Sequence, residues 1–145
     1  MISTIFSIGV FSTLAMTAFS YALSYFTSNK FEEPQLLNIL LDRITSAEKR
    51  FYNEHIVGWS IHCLIGILFV IVYFLLKYFQ ILPQGILYDS LFGFCAGIIG
   101  VLFWSITFSL HPNPPKINRA LYYLQLIPAH IIFGICCGIL FNTLA

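Results

Sequence analysis

The chain has 145 residues, 59% of them hydrophobic and 9% charged, with a mean hydropathy of +0.86 and a formal net charge of +1. A water-soluble domain of this length leaves much of its area wet and cannot hide so much apolar surface, so the bilayer is the solvent these numbers predict. Its few basic residues form no dense patch, which excludes nucleic acid as a partner.

The first apolar segment runs over about residues 3–26, long enough to cross a hydrocarbon core of about 30 Å. It lacks a basic leading region and a convincing cleavage site, so it is expected to be a retained helix rather than a signal peptide. Gly9, Thr13, Thr17, Ser20 and Ser24 fall at steps of three and four and form one small, hydroxylated stripe.

A long connection follows, "TSNKFEEPQLLNILLDRITSAEKRFYNEH". Its apolar residues Leu36, Leu37, Leu40, Leu41, Ile44, Ala47 and Phe51 recur with helical period, and Glu32, Glu33 and Pro34 make a helix start. The expectation is an amphipathic helix over about residues 34–52, lying at the cytoplasmic membrane surface. Docking onto a partner is the rival reading.

The second span covers about residues 56–76, with His55, Trp59, His62, Gly66, Phe69 and Tyr73 on one face. The short "KYFQILPQG" leads to the third span, about 86–110, whose face holds Gly93, Gly97, Gly100, Trp104, Thr107 and His111. "HPNPPKINR" then stops that helix with prolines. The fourth span, about 122–144, presents Tyr123, Ile127, His130, Gly134, Cys137 and Phe141. Gly93-x-x-x-Gly97 and Gly134-x-x-x-Gly138 are small-residue packing motifs. The fold class is therefore an all-α membrane protein, a single domain over residues 1–145. It is a four-transmembrane-helix bundle with a cytoplasmic amphipathic helix between helices one and two, and its polar and small stripes face inward.

Lys30, Arg43, Lys49, Arg50, Lys116 and Arg119 share one side of this topology and only Lys77 falls on the other. Basic loops stay in the cytoplasm, which places both termini outside it. Helices two and four then run in the same direction, and His62 and His130 lie at similar depth in the cytoplasmic half, near His55 and His111 at its boundary. "GVFSTLAMTAFS" resembles "GVLFWSITFS", and both even-numbered spans carry His-x-x-x-Gly. Two hairpins related by an axis along the membrane normal would bring His62 and His130 together. The cysteines, Cys63, Cys95, Cys136 and Cys137, lie in apolar runs without metal-site spacing and read as reduced, buried side chains.

Gly58-Trp59-x-x-His62-x-x-x-Gly66-x-x-Phe69-x-x-x-Tyr73, a glycine-rich third helix, the Pro-rich loop and Ala129-His130-x-x-x-Gly134 together resemble small bacterial membrane proteins of the YagU type. That resemblance spans about Gly9 to Gly138. It implies a four-helix protein of the bacterial inner membrane with no assigned reaction, and it carries over no catalytic residues.

An ionisable side chain inside a membrane is a functional-site hypothesis by default. The candidate polar interior site is His62 and His130 with Gly66, Gly134, Trp59 and Trp104, and His55, His111, Thr13 and Thr17 are secondary polar positions. The expected role is a non-enzymatic accessory or structural membrane protein, because no spacing links a nucleophile to a base. One alternative is a b-type haem or metal centre with His62 and His130 as ligands. Another is an oligomeric transporter of protons, ions or small solutes along the hydroxylated stripe. Lipid is the expected partner, with a homo-oligomer or larger membrane complex as a further one.

Overall fold

A computed structural model describes residues 2–44 and 55–144, which are all helix and connecting loop. The expected positions Ala47, Lys49, Arg50 and Phe51 lie outside the described residues. The helices are α1 (Ile2–Thr27), α2 (Glu33–Ile44), α3 (Ile56–Tyr78), α4 (Ile86–Leu110) and α5 (Arg119–Leu144). All but α2 are long and apolar enough to cross a membrane. In hydrocarbon every backbone amide must be satisfied within its own segment, and an uninterrupted helix does this.

The helix ends follow from local chemistry. α1 stops at Ser28, which takes a left-handed φ of 56° and returns its amide to the Ser24 carbonyl at 2.9 Å. α4 stops at His111, whose ψ of 128° is the extended setting a residue before proline prefers. α3 begins at His55, whose ring accepts the Val57 amide. Pro128 sits inside α5 and removes the amide that would have bonded the Leu124 carbonyl one turn back.

α1 packs against α3 on one side and α5 on the other, and α4 packs along α5. α3 and α4 approach closely at one end only, where Tyr73 and Lys77 meet Asp89, and part along the rest of their length. The axis suggested by the repeat would exchange α1 with α4 and α3 with α5. It would map the extended α1–α5 packing onto an α3–α4 contact that is confined to the Lys77–Asp89 end. Close packing elsewhere depends on missing side chains. A Cβ on Gly134 would strike the α4 backbone at Asp89 and Gly93, and one on Gly66 would strike Thr13 Oγ1.

α2 departs from expectation. It is described over Glu33–Ile44, and there Leu36, Leu37 and Leu40 of its apolar stripe are buried against the protein itself rather than against lipid. These three lie in a cluster with Trp104, Phe108, Tyr122 and Leu126. Full burial of each such side chain contributes roughly 1.5–3 kcal/mol relative to leaving it in water. Asn38 fastens the helix by donating to the His55 carbonyl at 2.7 Å and accepting from the Gly58 amide at 2.8 Å. His111 Nε2 lies 3.1 Å from the Leu40 carbonyl and so carries the proton. A second cluster, with Ile8, Val70, Tyr73, Phe92 and Cys137, fills the other half of the bundle. Only Cys137 of the four cysteines is buried, and Cys95 faces outward.

Candidate functional site

The gap between α3 and α4 is a cavity of about 180 Å³. Its floor is Met16 of α1 with His130 and Phe133 of α5. One wall is His62, Ile65, Gly66 and Phe69, and the other is Ile99, Gly100, Phe103 and Trp104. Glu33 and Leu37 of α2 roof one end. Ile99 and Phe103 are also about half exposed on the outer surface, so the mouth opens sideways toward lipid.

The sequence pattern placed His62, His130, Gly66 and Trp104 together, and the structure brings all four to this cavity. Gly134 is not there, because its space is taken by the α4 backbone. Trp59 is not there either. It lies against Tyr21 with ring centroids 6.0 Å apart, on a half-buried flank of α3. His55 and His111 cap helices and hold α2. Thr13 and Thr17 stand behind His62.

Hydrogen-bond arithmetic fixes both histidine tautomers. The Thr17 hydroxyl donates its single proton to the Thr13 carbonyl at 2.7 Å. It can therefore only accept from His62 Nε2, 3.0 Å away, so that nitrogen carries the hydrogen and Nδ1 keeps its lone pair. His130 Nδ1 lies 2.8 Å from the Leu126 carbonyl and must donate, which leaves the lone pair on Nε2. Among the described residues neither lone-pair nitrogen has a partner, and neither is among the sealed polar atoms. Phe69 packs edge-on to the His130 ring, and Gly100 leaves room beside its Nε2.

Glu33 completes the polar end and was missed as an interior group. It is 1% exposed. Its Oε1 accepts from Ser20 at 2.9 Å and from Gln125 at 3.4 Å, whereas Oε2 is buried without a partner. Burial pushes its pKa up to about 7, against the opposing pull of its own backbone N–H and the Ser20 and Gln125 bonds. The signal was present in the sequence, since residues 33, 36, 37 and 40 share one helical face and Glu33 thus lies on α2's apolar stripe. Extending the α3 and α4 stripes by four residues would likewise have found Lys77 and Asp89. Those two form a buried ion pair at 3.0 Å at the opposite end.

The cavity offers two ring-nitrogen acceptors and one carboxyl that is neutral on the acid side of about pH 7. Haem does not fit it. Pockets for drug-sized molecules run roughly 300–1,000 Å³, and this cavity of about 180 Å³ is too small for a macrocycle. No group of three or more His, Cys, Asp or Glu side chains is arranged to hold a metal ion among the described residues. The chain matches no protein-family profile, and no curated protein or solved structure is significantly similar to it.

Proposed function

We infer that this is a non-enzymatic multi-pass protein of the bacterial inner membrane that binds a lipid-soluble compound through the α3–α4 opening. Its ligand class is a hydroxylated ring of about benzene size, carried on an apolar body that stays in the bilayer. The size argument is direct, since an apolar cavity of about 150 Å³ accommodates benzene and this one measures about 180 Å³. The observation that carries the reading is the pair of fixed acceptors, His62 Nδ1 and His130 Nε2, at the inner end of a cavity whose mouth is apolar. A single O–H donor satisfies one of them, and a hydrocarbon ring satisfies neither. The basic residues at the α2 end favour that end as cytoplasmic, with the termini outside. A permeation role is less favoured, because Val70, Tyr73 and Phe133 close the interior beyond the cavity.

The chain's two tryptophans make the test specific, because only Trp104 lines the cavity. In Trp59→Phe protein, 4-bromophenol should quench Trp104 saturably, whereas bromobenzene should quench only in proportion to its partition into the detergent. Of His62→Leu and His130→Leu, the variant that removes the accepting nitrogen should weaken the saturable phase roughly 5- to 100-fold, the worth of a hydrogen bond lost at a dry site. Equal quenching by both probes would overturn the reading.

A further inference from the structure

At the α2 end, outside the apolar spans, a second hollow of about 250 Å³ is unrelated to the cavity. Three chain segments meet there. Lys30 comes from the α1–α2 link, Arg43 from the last turn of α2, and Asn113 and Lys116 from the α4–α5 loop. Among the described residues no Asp or Glu lines it, and the one ion pair between described residues is elsewhere. Arg43 Nη1 donates to the Asn113 carbonyl at 3.1 Å, which pins the guanidinium at the rim and ties α2 to the loop. Ile39 and Ile117 supply an apolar side to the same hollow.

Its depth is set by its neighbours. Lys30 lies three residues beyond the end of α1, and Lys116 three before the start of α5. Tyr25 and Phe26, more than 80% exposed in the last turn of α1, are the aromatic pair expected where acyl chains meet headgroups. Three like charges lining one hollow repel one another, no carboxylate stands among them in the described lining, and an anion relieves the repulsion. Arginine matches the paired oxygens of phosphate, and the lysines add point charges.

We propose that the hollow formed by Lys30, Arg43 and Lys116 is a binding site for a phosphate group at the membrane surface, that of an anionic phospholipid headgroup or of a free phosphate. Basic pockets at the ends of transmembrane helices take lipid phosphates by this chemistry.

The test is native mass spectrometry of the full chain in mild detergent with equimolar phosphatidylglycerol and phosphatidylcholine of identical acyl chains. Wild-type protein should retain phosphatidylglycerol in preference. Each of Lys30→Gln, Arg43→Gln and Lys116→Gln should lower that retention about fivefold, and the triple variant about 100-fold, with phosphatidylcholine unchanged. Arg43→Lys should lose less than Arg43→Gln, because charge remains and only the fork is gone. All three side chains are exposed, so Lys30→Gln and Lys116→Gln should keep the wild-type melting temperature, and Arg43→Gln, which also loses the bond to the Asn113 carbonyl, should lower it by no more than an exposed hydrogen bond is worth. Displacement of phosphatidylglycerol by millimolar inorganic phosphate, but not by chloride at equal ionic strength, would assign the site to phosphate as such. Resistance to phosphate would assign it to the lipid headgroup. Equal retention of the two lipids by wild-type protein, or an unchanged preference in the triple variant, would overturn the proposal.

Discussion

Asp89 and Glu33 are both buried carboxylates at opposite ends of one bundle, and their surroundings differ in almost every respect. Asp89 Oδ1 accepts from Tyr73 at 2.7 Å and from Lys77 at 3.0 Å, and the same ammonium also reaches the Pro83 carbonyl at 2.8 Å. Lys77 is in the last turn of α3 and Asp89 in the first turn of α4, the termini where each sign of charge is favoured. Among the described residues Glu33 has no cation beside it, only Ser20 and Gln125 on one oxygen, and its other oxygen is orphaned next to a cavity. The Asp89 end is a closed clamp between two helices. The Glu33 end carries unused hydrogen-bonding capacity, and a bundle that only needed to pack would not benefit from leaving it there.

The largest expected effect tests the clamp. Lys77→Met strands the Asp89 charge in the interior and should cost about 3–5 kcal/mol in reversible unfolding from detergent. Lys77→Met combined with Asp89→Asn should recover most of that loss. A small effect of the single variant would remove the contrast between the two ends.

Glu33 predicts a pH dependence of the opposite character. Its folded pKa of about 7 lies above the ordinary value of 4.5, so between those values the folded state holds more protons than the unfolded one. The associated stability is fully present below about pH 4.5 and is lost as pH rises through about 7. The total is roughly 3 kcal/mol at about 1.4 kcal/mol per unit. Glu33→Gln should therefore match wild type at pH 4.5 and melt higher at pH 8.5. Parallel melting curves at both values would show that Glu33 is not held in its neutral form.

Gly66 borders the cavity on the α3 side and faces Thr13 on α1. Gly66→Ala should push those helices apart and cost about 1–3 kcal/mol. It should also weaken 4-bromophenol quenching of Trp104 by shifting His62. The smallest effect belongs to His55, whose ring caps α3. His55→Ala should cost about 1 kcal/mol and leave quenching unchanged, which separates a histidine that caps from histidines that face the cavity.

The spans, their order and the inward hydroxyl stripe of α1 were legible because 3.6-residue periodicity survives in a membrane helix, and Gly9, Thr13, Thr17, Ser20 and Ser24 are all buried. His62 and His130 were placed at similar depth by helical rise, and they do share one cavity. Which neighbours touch was not legible. Spacing along one helix does not say that α1 and α5 pack while α3 and α4 part, and that parting makes the cavity. α5 shows the same limit on a finer scale. Tyr122 is fully buried and Tyr123 only partly so, because the face is set by packing on α4 and by Pro128 within the helix. Glu33 was overlooked because an acidic residue in a first turn already has a local explanation, and its burial depends on Gln125 from the far end of the chain.

The seat of α2 also orders the protein's own synthesis. Leu36, Leu37 and Leu40 rest on Trp104, Phe108, Tyr122 and Leu126, all translated later. Residues 41–126 emerge in between, an interval of roughly 4–17 s at ~5–20 residues per second. During that time the nascent chain displays an apolar stripe and an acidic side chain with no seat to occupy. The segment completed second thus waits for parts of the fourth and fifth helices before its seat exists.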